Sequence, residues 1–247
     1  LELVHKKILI PQKQTIKKLT TYAPSKAVDG IKKALFSIGG GTIGNYQECS
    51  FISEGTATFK GNEHSNPVIG SKGVSQTTSE VMISMTFAKH LEKNIISALH
   101  GAHPYEEVAF EITTLDNKNQ HIGMGMIAEL ENPMSEDAFL LYLKEKMNTD
   151  CIRHSKKTNK PIKKVAVLGG SGSFAINDAI AQGADVYVTS DLKYHDFYTA
   201  ENKILLADIG HYESEQYTKE LLHTYLTKKI TNFAVVLSQI NTNPISY

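Results

Sequence analysis

The apolar residues of the first half of the chain follow the periods of short strands and helices. Val28, Ile31 and Leu35 recur at helical spacing, whereas Val81, Ile83, Met85 and Phe87 alternate as in a half-buried strand. In chain order the pattern predicts a strand over 6–10, a helix over 25–37, a hairpin over 48–53 and 56–59, a polar loop over 61–76, a strand over 80–87, a helix over 89–99 and a strand over 106–115. This β-α-β-β-α-β order is that of a ferredoxin-like unit.

The second half of the chain alternates between apolar strands and amphipathic helices. A strand over 123–130 and a helix over 133–147 lead into it, and strict alternation begins near Lys163. The pattern predicts strands over 164–168, 185–189, 203–208 and 233–240, separated by helices over 174–182, 191–200 and 213–228. Strands separated by helices pair in parallel. We therefore expect an α/β protein with two domains, a ferredoxin-like unit over 1–118 and part of a parallel-sheet α/β core over 119–247.

Composition and charge exclude several classes of protein. The 247 residues are 41% hydrophobic and 21% charged, which is ordinary for a globular protein. Lysine and arginine balance aspartate and glutamate at 26 each, so no net charge attracts the chain to nucleic acid or to a membrane surface. The two cysteines, Cys49 and Cys151, indicate neither a disulfide framework nor a thiolate metal site, and no long apolar run is present. We expect a cytoplasmic protein that binds neither nucleic acid nor membrane.

Acidic and histidine side chains follow two of the predicted parallel strands. Asp191 and His195 come after the strand over 185–189, and Asp208, His211 and Glu215 come at the end of the strand over 203–208. The carboxyl ends of parallel strands are where α/β sheets bind ligands. His211 and Glu215 are four residues apart, so a helix starting after Gly210 would bring both to one face, about 5–6 Å apart at Cβ.

Two interpretations of this pair remain open from the residues alone. His211 and Glu215 can be an exposed helix pair worth a few tenths of a kcal/mol. They can instead be ligands of a divalent ion, and imidazole with carboxylate suits Zn, Mn or Fe. In the second case Asp191, His195 and Asp208 are candidates to orient the ligands or to transfer protons.

Two further motifs are rich in glycine or in polar residues. The turn Gly169–Ser173 precedes a predicted helix and could cradle a phosphate, but it has neither of the two common phosphate-loop spacings, so a structural βα turn is favoured. His103-Pro-Tyr-Glu-Glu107 enters the strand over 106–115, where it can be simply a solvated strand end. No motif for an organic cofactor is found.

Taken together, these motifs resemble the Nif-three-like family (Ngg-one-interacting factor three). The resemblance rests on His103-Pro-Tyr-Glu-Glu107, the loop Gly169–Ser173, and the segments 184–196 and 208–215, and it extends from His5 to Pro244. Bacterial members carry the label GTP cyclohydrolase type 2 homologue. The resemblance implies a dinuclear metal site, with two divalent ions per complete site, in an α/β core that assembles as a homohexamer.

The resemblance also assigns roles to parts of this chain. It makes His211 and Glu215 metal ligands and the ferredoxin-like unit at 1–118 a PII/CutA-like insertion. The family's paired-histidine motif and metal-binding aspartate would precede residue 1, which is Leu rather than Met. We therefore expect a chain that lacks the N-terminal half of the core.

Two functions follow from these expectations. The first is metal-dependent hydrolysis of a nucleotide such as GTP. The second is a metal-binding regulatory or assembly protein without turnover, in which the PII-like unit senses a small molecule or partner.

Overall fold

The chain forms two compact units. The computed structural model describes residues 1–246. One unit contains residues 12–119, and the other contains residues 1–11 together with the chain from residue 120 onwards.

Within the described residues the secondary structure comprises ten strands, six α-helices and four short 3₁₀ helices. The strands are β1 (Leu3–Pro11), β2 (Ile16–Ala23), β3 (Phe51–Lys60), β4 (Ser75–Ala88), β5 (Phe110–Leu115), β6 (Gly123–Met134), β7 (Arg153–His154), β8 (Ile162–Ser171), β9 (Val186–Ser190) and β10 (Leu205–Asp208). The α-helices are α1 (Val28–Ser37), α2 (Glu92–Ala102), α3 (Glu136–Met147), α4 (Ile176–Ala181), α5 (His211–Glu215) and α6 (Thr218–Lys229). The 3₁₀ helices are Ser25–Ala27, Lys89–Leu91, Ser173–Ala175 and Tyr194–Ala200.

The unit at 12–119 is a four-stranded antiparallel sheet with two helices. Its strand order is β3-β4-β2-β5, with α1 following β2 and α2 following β4. The order along the chain is β-α-β-β-α-β, so the unit has the ferredoxin-like arrangement. Its core joins the helix residues Ile31, Leu35 and Ile95 to the inner face of the sheet.

The strand that opens this unit is not the one predicted. The expected first strand over 6–10 lies in β1, which pairs antiparallel with β6 and belongs to the other unit. There it places Leu9, only 1% exposed, in the core. The ferredoxin-like sheet begins instead with β2, whose buried face consists of Leu19, Thr21 and Ala23.

The predicted hairpin around Gly55 is also wrong. β3 runs unbroken from Phe51 to Lys60 and pairs antiparallel with β4, which places Gly55 opposite Glu80. Strand β4 starts at Ser75, so the predicted polar loop over 61–76 connects β3 to β4.

The other unit contains a six-stranded sheet in the order β1-β6-β8-β9-β10-β7. Strands β8, β9 and β10 are parallel, and β6, β1 and β7 extend the sheet antiparallel at its two sides. Successive residues of β9 alternate between two cores. Tyr187 faces α4, while Val186 and Val188 face α3. The sheet therefore has helices on both faces.

Three predicted elements of the second half differ from the structure. The segment 233–240, which the apolar pattern predicts as a fourth parallel strand, forms no strand within residues 1–246, and Phe233 and Val236 are 73% and 87% exposed. The helix over 191–200 is the 3₁₀ helix Tyr194–Ala200, and the helix over 213–228 is divided into α5 and α6. No helix in the described part of the chain is long and apolar enough to span a membrane.

Candidate metal centre

The parallel strands of the six-stranded sheet bring several polar residues to one edge. Strand β8 ends at Ser171, β9 is followed by Asp191, and β10 ends at Asp208. After β10 the chain turns at Gly210, whose φ of 89° is in the region that favours glycine, and α5 begins at His211. The carboxyl ends of three adjacent strands therefore surround the start of α5.

His211 lies between two carboxylates. Its Nδ1 is 2.6 Å from Oδ2 of Asp191, and its Nε2 is 3.3 Å from Oε2 of Glu215. His211 and Glu215 lie four residues apart in α5 and face the same side, as their spacing predicts. The three side chains are about half exposed, at 48%, 44% and 51% for His211, Asp191 and Glu215.

The hydrogen bonds around Asp191 fix its charge and its position. The Ser171 hydroxyl donates to Oδ2 of Asp191, and this bond, followed by the one from His211, lowers the pKa of the Asp191 carboxyl. The hydrogen bond to Asp191 in turn raises the pKa of His211, with a smaller contribution from Glu215. Asp191 has a φ of 56°, a left-handed conformation that aspartate tolerates better than most residues.

The donor set fits one side of a divalent-metal site. An Nδ1–H that donates to Asp191 leaves the lone pair of Nε2 directed towards Glu215, which is the carboxylate–histidine arrangement of metal sites. Two ligands about 2.1 Å from a tetrahedral zinc ion are about 3.4 Å apart. The separation of 3.3 Å between Nε2 and Oε2 matches this value.

Asp191 cannot share an ion with Nε2 of His211, because it contacts the opposite ring nitrogen. Consistent with this, no group of three or more histidine, cysteine, aspartate or glutamate side chains within residues 1–246 is arranged to hold a metal ion. Among the described residues, His211 and Glu215 could therefore contact one ion, while Asp191 holds the histidine ring through Nδ1.

The glycine-rich segment Gly169–Ser173, which comprises the end of β8 and the residues that follow it, packs against this site rather than forming an open phosphate loop. The Gly170 N–H donates to the Ser214 hydroxyl at 2.8 Å, and the Gly172 carbonyl accepts from the Tyr187 hydroxyl at 2.8 Å. Gly170 has a φ of 71°, and a Cβ there would lie 2.6 Å from Oε1 of Glu215. The backbone conformation therefore favours glycine at this position, and a Cβ there would displace the Glu215 carboxylate.

Sequence reasoning missed two residues of the site, Ser171 and Ser214. Ser171 donates to Asp191, and Ser214 connects the turn at Gly170 to the carbonyl of His211. Both lie inside motifs that the sequence analysis singled out. The signal is therefore present in the sequence, but a serine in such a motif is equally typical of a structural position.

Two predicted residues lie apart from the pair. Asp208 is buried, pairs with Arg153, and accepts the backbone N–H groups of Leu192 and Gly210 at 3.0 and 3.1 Å, so it fixes the two turns of the site. His195 is exposed and contacts the rings of Tyr194 and Tyr198. Within residues 1–246 neither of them forms a hydrogen bond with His211 or Glu215.

Comparison with known proteins identifies the family. The family described as Duf34/NIF3 (NGG1p interacting factor 3) matches residues 47–244. A Bacillus subtilis protein named GTP cyclohydrolase 1 type 2 homolog is 35% identical over 260 residues, covering 100% of this chain and 68% of the relative. A protein of the same name from Staphylococcus aureus strain MSSA476 is 35% identical over 246 residues, covering 97% of this chain and 66% of the relative. The chain belongs to the Duf34/NIF3 family.

Solved structures agree with this assignment. The crystal structure of a Bacillus cereus protein related to NIF3 has a TM-score of 0.79 and 34% identity, covering 99% of this chain and 66% of that one. The Staphylococcus aureus protein SA1388 has a TM-score of 0.67 and 30% identity, covering 99% of this chain and 65% of that one. The chain thus spans about two thirds of the length of the relatives it matches.

Proposed function

We propose that this chain contributes His211 and Glu215 as ligands to a divalent-metal centre. The observation that carries the proposal is the approach of Nε2 of His211 to Oε2 of Glu215 at 3.3 Å, with Asp191 bonded to the other ring nitrogen. Two ligands do not complete a coordination shell. The family resemblance supplies the rest of the proposal, which is a paired-histidine motif, an aspartate and a second ion within a homohexamer.

The activity that we propose is metal-dependent hydrolysis of a nucleotide such as GTP, as the name of the relatives suggests. Zn, Mn or Fe ions in such a site activate water and polarise the bond to be cleaved. In this chain Asp191 would keep His211 in the tautomer whose Nε2 is free, and Ser171 would hold Asp191 in place. Asp208 would act only indirectly, by fixing the turns at Leu192 and Gly210.

Metal titration of this chain by calorimetry tests the assignment of His211 and Glu215 as ligands. We expect His211→Gln and Glu215→Gln each to weaken Mn²⁺ or Zn²⁺ binding by about ten-fold or more, because each removes one ligand. His64→Gln, in the unit at 12–119, and Glu220→Gln, on α6, are matched controls that should leave binding unchanged. Equal metal affinity in the wild type and in both ligand variants would refute the assignment.

A separate assay tests turnover. Formate release from GTP is measured with Mn²⁺ or Zn²⁺ and with chelator, using this chain and the full-length Bacillus subtilis relative. Metal-dependent release supports the hydrolase. If both proteins bind metal without release, the second candidate, a metal-binding regulatory protein, is favoured. A pocket in the unit at 12–119 supports that candidate.

A further inference from the structure

The ferredoxin-like unit contains a pocket that the proposed metal centre does not use. Its volume is about 550 Å³, and it is lined by the end of β3, the connection after it, and the segment that leads into β5. This volume is in the range of small-molecule sites in proteins, about 300–1,000 Å³. Half-buried Phe59 and the side chains of Val68 and Ile69 make much of the wall apolar.

A buried carboxylate lines this pocket. Glu80 is only 7% exposed, and its Oε1 accepts a hydrogen bond of 2.7 Å from the Tyr105 hydroxyl. Its Oε2 has no hydrogen-bond partner among residues 1–246, and it is not among the polar atoms sealed from solvent. This oxygen can therefore accept a hydrogen bond from a donor or a cation in the pocket.

His103 positions the tyrosine that contacts Glu80. Its Nδ1 accepts the backbone N–H of Tyr105 at 3.1 Å, so the ring proton lies on Nε2, which donates to the Tyr22 carbonyl at 2.9 Å. Burial, and then the bond to Glu80, raise the pKa of the Tyr105 hydroxyl, so it remains a neutral donor. The motif at 103–107 therefore places Tyr105 in the pocket, where it holds the Glu80 carboxylate of β4, and is not merely a solvated strand end.

The next two residues of the motif add negative charge. Glu106 accepts the backbone N–H of Asn66 at 2.6 Å, which holds the connection after β3 as one wall of the pocket. Glu107 also lines the pocket, and Lys60 is the one basic residue in its lining. Three carboxylates against one ammonium group favour a ligand of positive charge.

An organic cation fits this pocket better than a metal ion. The three glutamates are not arranged as a metal-binding group, since no such group of three exists in the described part of the chain. The apolar wall instead suits a hydrocarbon or aromatic body, and the free oxygen of Glu80 suits one N–H donor group.

We propose that this pocket binds a small organic cation of the amine, amidine or guanidine class, with Glu80 as its counter-charge. Tyr105 is a positioning residue that holds the Glu80 carboxylate, and Phe59 contacts the body of the ligand. The site gives the ferredoxin-like unit a ligand-binding role that is independent of the metal centre.

Calorimetry with three probes of similar shape tests the charge requirement on the wild-type chain. Benzamidine, benzamide and benzoate carry an amidinium, a neutral amide and a carboxylate on the same ring. With chelator present to remove metals, we expect benzamidine to bind at least about ten-fold more tightly than benzamide, and benzoate not to bind. Equal binding of benzamidine and benzamide, binding of benzoate, or no saturable benzamidine binding at millimolar concentration overturns the proposal.

Two variants test whether Glu80 supplies the counter-charge. Glu80→Gln keeps an acceptor for Tyr105 and removes the charge, so benzamidine affinity should fall about ten-fold or more. Glu54→Gln, on β3 outside the pocket, removes the same charge and should have no effect. Unchanged affinity in a folded Glu80→Gln variant refutes the role of Glu80, and if that variant does not fold, the three-probe comparison still decides. His211→Gln should bind benzamidine normally, which separates this result from the metal proposal.

Discussion

At the scale of single residues, the two carboxylates beside His211 act on it unequally. Asp191 makes the shorter contact, 2.6 Å against 3.3 Å for Glu215, and it is the principal cause of the raised pKa of His211. We expect Asp191→Asn to lower the pKa of His211 in the metal-free chain more than Glu215→Gln does. An NMR titration of the imidazole protons measures both shifts, and an equal or larger effect of Glu215→Gln would contradict this order.

The same contact between His211 and Asp191 makes the stability of the fold depend on pH. A histidine whose pKa is raised in the folded state stabilises the fold at pH below its ordinary value, and this stabilisation is lost as the pH rises through the raised value. Because His211 is 48% exposed, solvent screens the effect and it is small. The deprotonated form is also the one that binds metal, so metal affinity increases over the same rise in pH.

Two neighbouring acidic residues at the start of α3 differ in burial and in hydrogen bonding. Glu136 is 5% exposed and accepts hydrogen bonds from Thr158 N, Thr158 Oγ1 and Asn159 N, at 2.8, 2.9 and 3.0 Å. Asp137 is exposed and pairs only with Lys157. We expect Glu136→Ala to reduce the free energy of unfolding by about 1–3 kcal/mol, and Asp137→Ala by less than about 1 kcal/mol. Urea denaturation measures both, and similar losses would contradict the assignment.

The sequence predicted the local part of the candidate site and missed the rest. His211 and Glu215 could be paired because they are four residues apart, and Asp191 could be added because it follows a neighbouring strand. The partner of Asp208 could not, because Arg153 lies 55 residues earlier in the chain, on an edge strand of two residues. Contacts of that separation are set by the order of strands in the sheet, which the apolar pattern does not fix.

At the scale of elements, the end of β8 depends on glycine for two separable reasons. Gly170 and Gly183 have the same φ of 71°, but only at Gly170 would a Cβ meet neighbouring atoms, with Oε1 of Glu215 at 2.6 Å. Alanine at either position should cost about 1–2 kcal/mol of unfolding free energy from the left-handed backbone.

Only Gly170→Ala should also displace Glu215. We therefore expect Gly170→Ala, and not Gly183→Ala, to shift the imidazole resonances of His211 and to weaken metal binding. Denaturation and NMR of the two variants make the comparison. Unperturbed His211 resonances in a folded Gly170→Ala variant would show that the turn tolerates a side chain next to α5.

The elements that sequence analysis placed wrongly have specific causes. Strand β2 was missed because its buried face is Leu19, Thr21 and Ala23, in which one member is polar and one is small. Thr21 is tolerated there because its hydroxyl donates to the Ala109 carbonyl at 2.9 Å. The segment 233–240 has the opposite character, since it is apolar enough for a strand but pairs with none within residues 1–246. Strand propensity measures how well a residue packs on a pleated sheet. The local sequence does not determine which neighbouring strand completes that sheet.

At the scale of the whole molecule, the ferredoxin-like unit is a self-contained segment of the chain. Its core is built from its own strands and helices, with Leu19, Ile31, Ile83 and Leu99 at 0% exposure. The two ends of the segment meet, because the Asn119 N–H donates to the Gln12 carbonyl at 2.8 Å. A segment with its own core and adjacent termini has the properties of an independent domain.

We therefore expect residues 12–119 expressed alone to unfold cooperatively in urea, with a single transition by far-UV circular dichroism and tyrosine fluorescence. A longer segment, 1–118, should have nearly the same midpoint, because residues 3–11 pair with β6 and add nothing to this core. Amide exchange in that segment should leave residues 3–11 unprotected. A gradual transition for 12–119 would mean that its core is incomplete, whereas protection of residues 3–11 would mean that β1 can join the ferredoxin-like sheet, as the apolar pattern alone suggested.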